Sequence, residues 1–180
     1  MRTDRYRVRR IAGEISTDDI IPARYKHMHT DPAMMAPHVF EARFPGLAAT
    51  FQVGDALVSK DILGIGSSRE QAVSALIECG VRAVIAPEFG RIFYRNCWNL
   101  GLPAIESDVE LFTEGQTIRI DLAQGLFLSS SPKVELPRFA PPPPMMIDMV
   151  DAGGLLPLMF STGRAENGVT PVPGSITQGG

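Results

Sequence analysis

Long apolar runs, cysteine and an excess of positive charge are all scarce in this sequence. No stretch comes near the roughly 18 consecutive apolar residues that a membrane-spanning helix requires, and the basic residues at the start are not followed by an apolar segment. Lys and Arg number 17 against 20 Asp and Glu, which leaves a net charge of -3, whereas a surface for nucleic acid needs a basic excess. The sequence therefore predicts a cytoplasmic protein that binds neither a membrane nor nucleic acid.

The two cysteines, Cys79 and Cys97, lie in different segments of the chain. They form no C-x-x-C pair, so neither a disulfide framework nor a self-contained metal or cluster site is indicated. We expect both to be small buried side chains, and we predict no metal ligand in this chain.

What the sequence does contain is enough apolar residues for one globular domain. Of its 180 residues, 44% are hydrophobic and 21% are charged, which allows a chain of this length to bury its own core. Residues 161–180 are polar, contain Gly and Pro and show no periodicity, a composition typical of a flexible tail. We therefore predict a domain over residues 1–160 and a flexible tail over residues 161–180.

Strand and helix patterns alternate along the predicted domain. Apolar periodicity and turn residues predict a strand at 6–11, short helical turns within 31–44, a strand at 56–60, a helix at 69–79 ended by Gly80, a strand at 81–86, a helix at 89–100, a hairpin within 118–128 and a short helix at 145–152. The polar cluster Ser16 to Asp19 is expected to interrupt regular structure. Alternating strands and helices predict an α/β domain.

The second long helix is predicted to have one buried face and one solvated face. Four apolar residues are expected in the core: Phe89, Ile92, Phe93 and Trp98. Arg91 and Arg95 are spaced i and i+4, so we expect them on the solvated face rather than against a ligand.

The most informative segment is residues 64–71, Gly-Ile-Gly-Ser-Ser-Arg-Glu-Gln, between a predicted strand and a predicted helix. Helix capping explains part of it, because Ser68 at the N-cap and Gln71 three residues later match a capping box. This leaves Ser67 and Arg69 without a structural role, whereas free amides at a helix N-terminus beside an arginine form a natural carboxylate site. The residues by themselves favour neither interpretation.

Four segments of the chain carry a resemblance to one known family. Residues 64–70 resemble the G-x-G-S-S-R-E-H signature of the aconitase swivelling domain, and residues 89–103 resemble its S-F-A-R-I-F-Y-R-N element and the residues that follow it. Residues 16–25, Ser-Thr-Asp-Asp-Ile-Ile-Pro-Ala-Arg-Tyr, match the D-T-D-x-I-I-P-A-R-Y element of 3-isopropylmalate dehydratase small subunits, and residues 145–155 are similar to the short last helix of that family. The resemblance covers about residues 5–160 and implies a single α/β domain of the swivelling β/β/α type.

The same resemblance implies one subunit of a two-subunit hydro-lyase. Such enzymes remove water from a hydroxy di- or tricarboxylic acid and add it back in the other orientation, with a [4Fe-4S] cluster in the large subunit acting as Lewis acid. This chain would hold no cofactor itself and would be active only with that large subunit, as a heterodimer or heterotetramer. The expected reaction interconverts 2- and 3-isopropylmalate in leucine biosynthesis.

The resemblance also assigns roles to individual residues. Ser67 would be the catalytic base that removes a proton next to a carboxylate, its alkoxide stabilised by backbone amides and positive charge. Ser68 and Arg69 would hold a substrate carboxylate, Arg69 through a bidentate pair. Asp18 would be a second catalytic residue that orients a side chain of the large subunit, with a turn-forming aspartate as an equal alternative. Arg24 is expected either to meet a carboxylate or to anchor the chain.

Lys26 and His27 follow Tyr25 in a loop that distinguishes substrate side chains in this family. The family typically has Leu-Arg-Thr there, and this chain has Lys-His-Met. Because a cation suits a more carboxylated substituent than an isopropyl group, Lys26 and His27 are predicted to contact the substrate. A homoaconitase or 2,3-dimethylmalate dehydratase small subunit is therefore an alternative, as is a non-catalytic or RNA-binding aconitase-like module.

The chain departs from the family pattern around the serine loop. Five residues differ from the usual Asn, aromatic, His, Ser and Ala, respectively: Ile62, Leu63, Gln71, Glu88 and Gly90. The serine-arginine run itself is intact, which argues against a non-catalytic partner. We expect the chemistry to persist while the substrate or the contact with the large subunit differs.

Overall fold

Strands and helices alternate over most of the chain, and a computed structural model describes residues 5–27, 31–67, 69–130 and 134–166. Its strands are β1 (Tyr6–Ile11), β2 (Ile15–Ser16), β3 (Asp55–Ser59), β4 (Leu63–Ile65), β5 (Val81–Ala86), β6 (Ala104–Glu106), β7 (Thr117–Asp121) and β8 (Leu126–Ser129). Its α-helices are α1 (Thr17–Ile20), α2 (Pro32–Met35), α3 (Glu70–Glu78), α4 (Arg91–Asn99), α5 (Pro144–Ala152) and α6 (Leu155–Glu166). Short 3-10 turns lie at Ala23–His27, Ala36–His38 and Ala48–Thr50.

Six strands form the main sheet, in the order β6-β5-β3-β1-β7-β8. The first four of these are parallel to one another, and β7 and β8 form an antiparallel hairpin beside β1. Every residue of β3 is buried, as are five of the six residues of β5. Continuous burial is expected of parallel strands that are covered on both faces, and it confirms the predicted α/β class.

Helices α3 and α4 each turn one apolar face to the core. The buried residues of α3 are Ala72, Val73, Ala75 and Leu76, and the buried apolar residues of α4 are Phe93, Cys97 and Trp98. Arg91 and Arg95 are exposed, as predicted. Ile92 was expected in the core and is 40% exposed, because five residues place it about 140° around the helix from the fully buried Cys97.

A separate two-stranded parallel sheet holds two of the sequence motifs side by side. Ile15 of β2 pairs with Leu63 of β4, and Ser16 pairs with Ile65, with an irregular register between them. The serine loop begins directly after β4, and α1 begins directly after β2. This pairing therefore places the two motifs next to each other although they are far apart in sequence.

Strand β4 also touches the entry to α4, and this contact explains one departure from the family pattern, Gly90. Gly90 donates its amide to the carbonyl of Leu63 at 2.9 Å, and a Cβ on Gly90 would lie 2.1 Å from the carbonyl oxygen of Gly64. Only glycine fits so close an approach. Leu63 is fully buried, which suits an apolar residue. The side chain of Glu88 is exposed, and nothing in the structure explains its carboxylate.

The polar cluster Ser16 to Asp19 forms a helical turn, which corrects the expectation that it interrupts regular structure. Ser16 is the N-cap of α1, and its hydroxyl accepts from the amide of Asp19 at 3.1 Å. The Asp19 carboxylate in return accepts from the amide of Ser16 at 2.8 Å. This is a capping box with Asp in place of the usual Glu or Gln, and the reciprocal bonds stabilise a helix of four residues.

Helix α6 continues past the predicted domain boundary. It runs to Glu166, so position 160 falls inside a helix. Leu155 and Leu158 pack against the core, whereas Leu156, Met159 and Phe160 are exposed. Because residues 155–160 are apolar on all sides, no alternation of apolar and polar residues indicated a helix there. Residues 167–180 of the predicted tail lie outside the described residues, and that part stays a prediction. Over the described ranges, neither α6 nor any other helix is both long and apolar enough to span a membrane.

Replacing Gly64 by Ala should lower the free energy of unfolding by about 2–5 kcal/mol. Its φ of +82° is unfavourable for an L-residue, and a Cβ there would meet the Phe93 ring at 2.2–2.5 Å, so overpacking adds to backbone strain. Urea unfolding of wild type and variant measures the difference.

Gly46→Ala is the matched control. Gly46 has a φ of +83°, and nothing lies within 4 Å of its added Cβ, so it should lose only the backbone term of about 1–2 kcal/mol. Equal losses for the two variants would contradict the steric contact between Gly64 and Phe93.

Candidate active site

Three segments of the chain lie together directly after β4. They are the start of α1, the loop at Gly66 and Ser67, and the start of α3. Thr17 is almost fully buried, and its hydroxyl donates to the carbonyl of Ser67 at 3.0 Å. Gly66 has a φ of +96°, which a glycine adopts without strain. The turn at Gly66 and the bond from Thr17 together hold Ser67 beside α1, with the serine exposed.

Arg69 lies beneath this loop, and its side chain is only 9% exposed. Its guanidinium forms an ion pair with the carboxylate of Asp18, and its Nη1 donates to the carbonyl of Ile21 at 3.2 Å. Its Nε is buried and has no hydrogen-bond partner among the described residues. A buried donor with no partner is unusual in a folded protein, so part of the bonding capacity of this guanidinium is unused.

Asp18 is the counterion of Arg69, and this narrows its two predicted roles. The turn-forming interpretation applies to Asp19, whose carboxylate bonds to the backbone of Ser16, and not to Asp18. The Asp18 side chain is 52% exposed, so its carboxylate faces both Arg69 and solvent. The role of orienting a side chain of another subunit stays a prediction.

Helix α3 begins one residue later than predicted. Arg69 occupies the N-cap position and makes no side-chain capping bond, so Gln71 is not at the position that a capping box with Ser68 requires. The predicted capping box is therefore wrong for these helix bounds. Ser68, the other predicted carboxylate-binding serine, lies outside the described residues, and its role stays a prediction.

Arg24, another predicted substrate contact, is anchored to Glu41. Its guanidinium forms an ion pair with the Glu41 carboxylate and lies 4.8 Å from the centre of the Tyr25 ring. The side chain is nevertheless 60% exposed. Lys26 and His27 complete the 3-10 turn that begins at Ala23, and their side chains lie outside the described part of the structure.

Sequence reasoning missed two residues of this region. Thr17 was expected near the site together with Asp18 but received no role of its own, although a capping box at Ser16 and Asp19 would have indicated a one-turn helix there. Glu41 gave no signal, because it lies in a proline-rich segment without periodicity and reaches Tyr25 and Arg24 only through the tertiary fold.

The cysteines are poorly suited to bind iron. Cys97 is completely buried in α4, and burial raises the pKa of its thiol well above the usual range. Burial, together with the nearby Glu78 carboxylate, raises the pKa of the Cys79 thiol to about 11. Since the thiolate is the metal ligand, neither residue is poised for that role. In the described part of the chain, no three His, Cys, Asp or Glu residues are grouped so that they could hold a metal ion.

Comparison with known proteins places this geometry in a family. A model of the aconitase C-terminal domain matches residues 8–110. The 3-isopropylmalate dehydratase small subunit 2 of Archaeoglobus fulgidus is 41% identical over 143 residues, covering 79% of this chain and 86% of that protein. The chain belongs to the family of 3-isopropylmalate dehydratase small subunits. The 3-isopropylmalate dehydratase small subunit of Wolinella succinogenes is 43% identical over 143 residues, covering 79% of this chain and 84% of that protein.

A solved structure of this family has the same fold. The crystal structure of 3-isopropylmalate dehydratase from Methanocaldococcus jannaschii superposes with a TM-score of 0.83 at 31% identity, covering 91% of this chain and 97% of that chain. The family and the fold implied by the resemblance are thereby confirmed. The matched residues 8–110 contain the whole of the candidate site, from Asp18 to Arg69.

Replacing Asp18 by Asn should lower the free energy of unfolding by about 1–3 kcal/mol, because the buried Arg69 would lose its counterion. Residue 18 is half-exposed, so the change in its own solvation should offset little of this loss. Asp148, exposed on α5, offers the matched control, and Asp148→Asn should change stability by less than about 0.5 kcal/mol. Thermal unfolding of both variants tests the pair, and equal stability would mean that solvent screens the Asp18–Arg69 attraction.

Anaerobic incubation of the isolated chain with ferrous iron and sulfide should yield no stoichiometric cluster, because both thiols are protonated at neutral pH and lie on or beside different helices. Iron and sulfide analysis after desalting measures this. Stoichiometric iron that disappears in a Cys79→Ser variant would contradict the assignment of the cluster to another chain.

Proposed function

We propose that this chain is the small subunit of a 3-isopropylmalate dehydratase, a hydro-lyase that interconverts 2- and 3-isopropylmalate together with a large subunit. The observation that carries the proposal is that the first turn of α1 contacts both an exposed Ser67, through Thr17, and a buried, incompletely bonded Arg69, through Asp18. A hydroxyl and a desolvated guanidinium at one loop suit a substrate that carries a carboxylate next to the carbon to be deprotonated.

Ser67 is the proposed base. Its alkoxide, formed by loss of the hydroxyl proton to solvent, takes the proton from the carbon adjacent to a carboxylate as hydroxide leaves the neighbouring carbon. The Ser67 hydroxyl gives that proton back to carbon when hydroxide adds in the other orientation. The positive charge of Arg69 and the amides at the start of α3 stabilise the alkoxide. Thr17 supports this role because its bond to the Ser67 carbonyl fixes the backbone from which the hydroxyl projects.

Arg69 is the proposed carboxylate-binding residue, and Ser68 is proposed to assist it. The guanidinium has five N–H donors, and within the described ranges it has two partners, Asp18 and the carbonyl of Ile21. Nε is enclosed and has no partner there, so a substrate carboxylate that reached it after a local rearrangement would accept a charge-assisted bond without displacing an existing one. Asp18 compensates the positive charge of Arg69 when no substrate is bound.

The large subunit is proposed to carry the [4Fe-4S] cluster, since the thiols of this chain do not suit iron. When bound there, the cluster supplies a Lewis acid for the substrate hydroxyl. The contribution of this chain is an open half-site, because Ser67 and Asp18 are both exposed. An exposed base needs a second surface to exclude water, and a partner subunit would provide it.

Isopropylmalate is the substrate that the relatives' names favour, and Lys26 with His27 is the feature that favours a more carboxylated acid. We propose isopropylmalate, because the relatives with that name are about 40% identical over most of the chain. Homocitrate and 2,3-dimethylmalate are the competing substrates to assay beside it. A higher kcat/KM for either of them would replace isopropylmalate in the proposal.

Ser67→Ala should reduce turnover of isopropylmalate by the reconstituted pair by at least about 100-fold, because proton transfer by a positioned side chain contributes about 10²–10⁴-fold. The unfolding free energy and the affinity for the large subunit should be nearly unchanged, since the Ser67 hydroxyl is exposed. Steady-state kinetics and urea unfolding measure the two effects.

Ser130→Ala serves as the control, because Ser130 is exposed and lies directly after β8, far along the chain from the serine loop. It should retain wild-type turnover. Near-normal activity of the Ser67 variant would remove Ser67 from the mechanism while leaving the family assignment untouched.

A further inference from the structure

Glu41 lies at the centre of a polar cluster outside the serine loop. Its carboxylate forms an ion pair with Arg24 and accepts from the Tyr25 hydroxyl at 3.0 and 3.1 Å. One of its oxygens also lies 2.6 Å from Nδ1 of His38. Both carboxylate oxygens are therefore engaged, and the side chain is only 24% exposed. Such a convergence fixes the positions of all three partners.

Two ring contacts complete the cluster. The rings of Tyr25 and His38 are stacked, with centroids 3.9 Å apart and planes inclined by 16°. The Arg24 guanidinium lies 4.8 Å from the centre of the Tyr25 ring, a cation–π distance. Arg24 is thus held by Glu41 through charge and by Tyr25 through its ring, although most of its side chain is exposed.

The backbone that presents Glu41 is strained one residue earlier. Phe40 has a φ of +59°, which is an outlier for a bulky residue. It is fully buried, and its carbonyl accepts from the amide of Phe44 at 2.7 Å. Strained backbone persists only where its surroundings determine it, and it clusters at functional sites. The strained backbone at Phe40 is therefore consistent with a functional role for its neighbour, Glu41.

Adjacent carbonyls connect this cluster to the candidate active site. The carbonyl of Ile20 accepts from the amide of Phe40 at 2.9 Å, and the carbonyl of Ile21 accepts from Arg69 at 3.2 Å. The segment from Ile20 to Tyr25 is therefore fixed by Arg69 near its start and by Glu41 at its end. Arg69 and Arg24, the two described arginines predicted to bind substrate, are therefore connected through this one segment.

We propose that Glu41 is a positioning residue that acts through Arg24, holding its guanidinium where it receives the second carboxylate of a malate-type substrate. The inference rests on the proposed function. Arg24 has five donors, and pairing with Glu41 leaves others for an acid on the exposed side. Because Glu41 fixes Arg24 without touching the substrate, its loss should weaken substrate binding more than it slows the chemical step.

Glu41→Gln is the decisive variant, because it keeps the size of the side chain and removes the charge. In the reconstituted pair it should raise KM for isopropylmalate by about tenfold, in the range that small misplacements of substrate-positioning groups cost, while kcat stays within about threefold. The double variant with Arg24→Gln should be no worse than Arg24→Gln alone, because both changes remove one function. Glu41→Asp retains the charge and should recover part of the loss.

Glu114→Gln is the matched control. Glu114 also forms an ion pair with an arginine, Arg9, at 2.7 Å, and it lies before β7, outside the candidate site. It should leave KM unchanged. An unchanged KM for Glu41→Gln, or losses at Glu41 and Arg24 that simply multiply in the double variant, would overturn the proposal.

Trypsin cleavage of the isolated chain provides a measurement that needs no activity. Glu41→Gln should accelerate cleavage after Arg24 and Lys26 several-fold relative to wild type and to Glu114→Gln, because local opening limits cleavage. Equal cleavage rates would show that Glu41 does not hold this segment and would overturn the proposal by themselves. A wild-type pair without dehydratase activity would overturn the proposed function, and the cleavage rates would still decide whether Glu41 braces the segment.

Discussion

The backbone contact between β4 and the entry to α4 is the constraint on which the site depends. Leu63 and Gly90 approach so closely that a carbonyl and an amide bond at 2.9 Å, with no side chain between them. β4 then pairs on its other side with β2. A three-residue strand held on both sides fixes the loop after it, and with that loop the direction of Ser67 and the start of α3.

Two ion pairs within the fold compensate the charges of two arginines. Asp18 neutralises Arg69, which is almost fully buried, and Glu41 neutralises Arg24, which is mostly exposed. Burial makes the first guanidinium the stronger electrostatic partner for an anion, because less solvent screens it. The second is better placed to meet a ligand that arrives from outside. In the proposed function, the two arginines would give an acid with two carboxylates one buried and one accessible point of attachment.

Periodicity located the regular elements of the domain well, since β1 and β5 have the predicted bounds and α3, α4 and α5 differ by at most two residues at an end. These segments are long enough for burial of one face to dominate local preferences. The one-turn helix α1 was missed because its stability comes from reciprocal capping bonds rather than from an apolar face. Helix α6 was missed because the apolar residues of its first half are not separated by polar ones, so no periodicity marked the face that packs on the core through Leu155 and Leu158.

The site could be predicted from the sequence only where its residues are neighbours in the chain. The run around Ser67 and Arg69 was identified from its glycines and from the family motif. The pairing of Asp18 with Arg69 and of Arg24 with Glu41 joins residues that are 51 and 17 positions apart, and no local pattern encodes such distances. The motif indicated which chemical groups form the site, whereas the fold determines which residue each of them pairs with.

The pairing of Asp18 with Arg69 bears on the order of assembly. A buried guanidinium without a counterion would make folding depend on an anion supplied from elsewhere, whether a substrate or an acidic side chain of another chain. Here the compensating charge is synthesised 51 residues earlier in the same polypeptide. The charge balance that this part of the fold requires is therefore contained within the chain itself and needs no contribution from another subunit.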